Sequence, residues 1–108
     1  MTPNLGNLEE SVLLIVMILE EAYGVSVADA YEEKTGNTIS IPAIHTVLKR
    51  LEEKGMLRSC MGEATAERGG RRKRLFEATP YGYSVISQIR KTRLQLWSLI
   101  PKLDLGNG

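Results

Sequence analysis

The chain has 108 residues, 43% of them hydrophobic and 25% charged, with a formal net charge of +1. That composition excludes a disordered chain and fits one domain with a real core, too small to cover every face of several helices. A single cysteine, Cys60, and a single histidine, His45, exclude an internal disulfide, a thiolate zinc site and a histidine dyad, so no metal or other cofactor is expected.

The small net charge hides a sorted distribution. Residues 1–48 hold seven acids and one base, a balance of −6; residues 49–74 hold nine bases and four acids, +5; residues 75–108 hold four bases and two acids, +2. A basic middle of this kind points to a polyanionic partner. The apolar run 12–19 is too short to span a bilayer and follows Glu9 and Glu10 rather than a basic segment, so no membrane contact and a cytoplasmic location are expected.

In chain order, residues 1–6 read as a loose lead-in, and a first helix is expected over 7–21. Its middle is apolar all round, which requires cover on more than one side. Tyr23 and Gly24 break the pattern, and a second helix is expected over 25–35, stopped by Gly36 and Asn37. A third helix follows with marked ends: Ser40 as N-cap, Pro42 in the first turn, and Gly55 as a left-handed stop. At about 100° per residue, Ile41, Ile44, Val47, Leu48 and Leu51 share an apolar arc, while Pro42, His45, Thr46, Lys49 and Glu53 share the opposite side, with Arg50 at its margin. This outer face suits phosphates and base edges.

Residues 56–61 and 75–79 read as two strands of a hairpin. The connecting stretch 62–74 carries three glycines and the basic cluster Arg68, Arg71, Arg72, Lys73 and Arg74. A helix-turn-helix followed by such a hairpin is a winged helix, whose loop lies near the DNA backbone, where guanidinium groups offer paired donors to phosphate. Thr79 and Pro80 then repeat the cap-plus-proline signal, and a fourth helix of some 20 residues is expected over 80–100. Its stripe of Val85, Ile86, Ile89, Leu96, Trp97 and Ile100, with Arg93 in the same arc, is more than a small winged helix can bury. A second copy is therefore expected to meet it, with Leu13 and Val16 of the first helix contributing to the interface.

The fold class expected is mainly α with a small β-hairpin: a winged helix-turn-helix DNA-binding domain over 7–79, a C-terminal dimerisation helix over 80–100 in the same compact unit, and flexible ends at 1–6 and 101–108. Cys60 is expected to be a small buried strand residue. Lys54 and Arg58 read equally well as DNA contacts or as ordinary solvated charge.

The chain resembles the PadR family of bacterial transcriptional regulators, in particular its shorter members with a single C-terminal helix. The resemblance rests on Leu8-Glu9-Glu10, on Ala22-Tyr23-Gly24, on the unbroken stretch from Ala43 to Leu57, and on Gly70 to Phe76 followed by Thr79-Pro80-Tyr81-Gly82. It implies a dimeric DNA-binding protein, usually a repressor, with the third helix in the major groove and the fourth forming the dimer. The family pattern usually has tyrosine where this chain has His45, which leaves the fold intact and opens the operator sequence. The resemblance also implies that a small phenolic or multidrug-like molecule relieves repression near the dimer interface, and Trp97 is the candidate for stacking on an aromatic effector. An alternative reading is a winged-helix adaptor whose basic loop meets an acidic protein. An enzyme is excluded for want of parts, since neither a phosphate loop nor a nucleophile with a base is present.

Overall fold

The computed structural model describes residues 5–63 and 72–102. Six elements follow one another: α1 (Asn7–Ile18), α2 (Gly24–Thr35), α3 (Ile41–Glu53), β1 (Leu57–Met61), β2 (Arg74–Ala78) and α4 (Pro80–Leu99). The sequence expectation of a mainly helical winged helix with one hairpin is met.

Local chemistry sets most boundaries. Ser40 Oγ accepts from the Ala43 N–H at 3.2 Å, and Gly55, at φ 78°, supplies the left-handed turn after α3. Thr79 Oγ1 accepts from the Gly82 N–H at 3.0 Å and donates to the Gly55 carbonyl at 2.7 Å, so one hydroxyl starts α4 and ties it to the end of α3. Contact there is closer still: a Cβ on Gly82 would run into the Met56 carbonyl oxygen.

Helix α1 ends at Ile18, three residues before the expected limit, because the chain turns extended at Leu19 (ψ 141°). The turn delivers Ala22 to the hairpin, where its carbonyl accepts from the Phe76 N–H at 2.8 Å. The hairpin itself is antiparallel, with Leu57 opposite Ala78 and Met61 opposite Arg74.

The core lies where α1, α2 and α3 meet the base of the hairpin and the first turns of α4. Val12, Leu13, Val27, Ile44, Leu48, Leu51 and Met56 are fully buried there, each apolar side chain of this size contributing roughly 1.5–3 kcal/mol by leaving water. Leu5, expected in a loose lead-in, joins this core. Ile41, expected on the buried arc of α3, is exposed because the first turn extends past the core.

Two further expectations are corrected. Leu13 and Val16 are closed inside the chain's own core, at 0% and 4% exposure, and offer nothing to a second copy; α1 turns Leu14 and Ile18 outward instead. Cys60 is exposed, since strand alternation puts it on the same side as Arg58, the outer side of a hairpin covered on one face only. On α4, Val85 and Ile86 are buried and Ile89 is partly so, whereas Leu96, Trp97 and the C-cap residue Ile100 are exposed. Arg93, the charge within that stripe, reaches Glu10 of α1 at 2.9 Å.

Candidate nucleic-acid interface

The outer face of α3 carries Pro42, His45, Thr46, Lys49 and Arg50, all exposed. Burial of Ile44, Val47, Leu48 and Leu51 fixes the rotation of the helix and so determines which side chains are presented. Thr46 donates its hydroxyl back to the Pro42 carbonyl at 3.0 Å. Among the described residues, Lys49 takes part in none of the ion pairs, which are Lys54–Glu9, Arg58–Glu77, Lys73–Glu21 and Arg93–Glu10.

Charge at the far end of the helix is held differently. Lys54 pairs with Glu9 of α1 at 2.7 Å, and the Gly6 N–H donates to the same carboxylate at 3.0 Å. Burial alone would raise the Glu9 pKa; the hydrogen bonds from Lys54 and Gly6 and the charges of Lys54 and Arg50 outweigh it, and the pKa is lowered. Arg58 pairs with Glu77 across the hairpin at 2.6 Å.

At the root of the wing the cations are engaged within the chain. Arg72 Nε donates to the Gly62 carbonyl at 2.8 Å and its Nη2 to the Met61 carbonyl at 3.2 Å. Arg74 Nη1 donates to Ser59 Oγ at 2.9 Å, and that hydroxyl donates to Glu52 at 2.5 Å. Lys73 turns inward: its Nζ lies 3.1 Å from a Glu21 carboxylate oxygen and 4.1 Å from the centre of the Tyr23 ring, with its side chain only 14% exposed. Arg68 and Arg71, the other expected wing contacts, lie outside the described residues.

Sequence reasoning missed the pairs Glu9–Lys54, Glu10–Arg93 and Glu21–Lys73 and the seat of Lys73 on Tyr23. Each joins positions far apart in the chain, so no local spacing signals it. It also missed a groove of about 490 Å³ between α1 and α4, lined by Glu10, Leu14, Met17, Tyr83, Arg90 and Leu94 among others. Trp97, 73% exposed, is not among its walls. Among the described residues no group of three His, Cys, Asp or Glu side chains converges on a metal-sized space.

A basic outer face on the third helix of a winged helix is the arrangement by which such folds read DNA. The family model described as the transcriptional regulator PadR-like family matches residues 12–95. The chain belongs to this PadR-like family. It is therefore a DNA-binding transcriptional regulator and not an enzyme.

Its fold is shared with solved PadR-like proteins at low identity. A PadR-like transcription factor from Bacteroides fragilis superposes with a TM-score of 0.73 at 20% identity, covering 84% of each chain. A PadR-like regulator from Bacillus cereus gives 0.72 at 17% identity over 93% of each chain, and a PadR family regulator from Eggerthella lenta gives 0.69 at 22% identity over 86% of this chain and 77% of that one. No curated protein matches the sequence. No described helix of this PadR-like chain is long and apolar enough to cross a membrane.

Proposed function

We propose that this PadR-like protein is a homodimeric repressor acting on a pseudo-palindromic operator. Two copies joined through α4 present two α3 helices to successive major grooves about 34 Å apart, with the wings on the flanking backbone. The observation that carries the reading is the outer face of α3, where His45, Thr46 and Lys49 stand exposed beside Arg50. Support for the dimer comes from α4 and its C-cap, where Leu94, Leu96, Trp97, Leu99 and Ile100 are all at least half exposed, an apolar surface that a soluble monomer rarely leaves open. A small aromatic molecule relieves repression by occupying the space beside this interface, stacking on Trp97 or entering the groove between α1 and α4.

The test is a binding titration with a fragment of the protein's own promoter at several salt concentrations. Affinity falls steeply with salt as counterions are released; no shift at low salt, or indifference to salt, ends the proposal. Lys49→Ala lowers the log–log salt slope by about one and changes preference among operator variants. Lys73→Met leaves the slope unchanged, because that ammonium is spent on Glu21 and Tyr23.

A further inference from the structure

Gly24 opens α2 and is buried, and the side chain nearest to where its Cβ would stand, chain neighbours apart, is the ring of His45 on α3. A Cβ placed on Gly24 would lie 2.8 Å from His45 Cε1 and 3.0 Å from Nε2. The first distance is shorter than real Cβ contacts show and the second is tighter than nearly all of them, so with any side chain at residue 24 the imidazole would have to shift from the place it holds. His45 itself is exposed on the outer face of α3. One edge of the ring is seated on α2 while the rest stands at the surface.

The seat is firmly held. Immediately before it, the Tyr23 N–H donates to Ser26 Oγ at 2.9 Å, and that hydroxyl donates to the Glu21 carbonyl at 2.8 Å. Ala22 is bonded to Phe76 of the hairpin, and Lys73 covers the Tyr23 ring. Residues 21–24 are thus fastened to β2 and to their own helix start, and they cannot drift away from His45 without breaking these bonds.

We propose that Gly24 is a specificity-determining positioning residue: it seats the His45 ring and so sets the direction in which this side chain meets a base edge. The inference rests on the reading of α3 as the DNA-contacting helix. A seated ring loses less rotamer freedom on binding than one free on a helix surface, so its contact discriminates more sharply between bases. Gly24→Ala displaces the far end of a side chain rather than backbone, so the fold is retained while the ring is expelled.

The experiment uses the whole protein and two readouts. His45 is the only histidine, so its Hε1–Cε1 resonance is assigned without ambiguity; the free protein shows a nuclear Overhauser effect from Hε1 to the Gly24 Hα protons, and the resonance moves in Gly24→Ala. Wild type, Gly24→Ala, His45→Ala and the double variant are then titrated against a panel of operators differing at single base pairs. Gly24→Ala changes the relative affinity at one or more positions by about fivefold, the low end of a base-reading contact, and adds nothing in the His45→Ala background. An equal effect of Gly24→Ala in both backgrounds, or none in a wild type that does discriminate, overturns the proposal. So does a missing nuclear Overhauser effect, or a Gly24→Ala chain that fails to fold with and without His45. A wild type that binds no DNA removes the repressor reading and this role together, and the resonance measurement then still shows whether the seat exists.

Discussion

Glu9 ties the start of α1 to the end of α3 through one carboxylate. It lies largely buried at the start of α1, holds Lys54 and Gly6, and feels Arg50. Its pKa is lower in the folded protein than in the unfolded chain, so the unfolded chain binds more protons as the solution is acidified. The stabilisation is complete above the ordinary carboxylate value and is lost as pH falls through the lowered folded one. Denaturant titrations across that range should show wild type losing stability on its acid side, with Glu9→Gln less stable at neutral pH and flatter in its pH dependence; parallel curves would remove Glu9 from the account. At this scale the chain was only partly legible. The faces of α3 could be read because Ser40, Gly55 and the apolar arc are local signals. Lys73 could not, because what turns it inward is Glu21 and Tyr23, residues that chain spacing does not connect to it.

Among the elements, the start of α4 is where the long helix is fastened to the end of α3. Thr79 makes two hydrogen bonds there, and Gly82 passes so close to Met56 that a methyl group would meet backbone atoms, not a movable side chain. Gly82→Ala is expected to cost about 2–3 kcal/mol, the upper part of the usual overpacking range. Thr79→Ala should cost about 1–2 kcal/mol as a lost N-cap that also loses the bond to Gly55. Urea unfolding measures both, and a Gly82→Ala protein of wild-type stability would mean that α4 can tilt freely. The cap and the proline made this helix start visible in the sequence; the end of α1 was not visible in the same way. Periodicity carried α1 on to residue 21, whereas the hydrogen bond between Ala22 and Phe76 requires an extended chain from Leu19. A long-range bond overrode a local pattern.

At the level of the whole molecule, the exposed half of α4 decides the oligomeric proposal. Trp97 is 73% exposed, so Trp97→Glu leaves the core untouched while placing charge on the apolar surface. Sedimentation should show this variant as a monomer with an unfolding midpoint independent of concentration, and operator affinity should drop by about 100-fold once two half-sites are no longer bound as one unit. A Trp97→Glu protein that remains dimeric would move the interface elsewhere, for instance to Leu14 and Ile18 of α1.

The single rung between Ala22 and Phe76 has a bearing on how the protein comes into being. Helices α1, α2 and α3 contain their own hydrogen bonds and can begin to form as the chain is made, but the carbonyl of Ala22 has no strand to meet until β2 has been synthesised. Closing that long loop carries an entropic cost that is met before the contact rewards it. The frame that aims α3 is therefore completed late, and an incompletely made chain carries the reading helix without the means to point it.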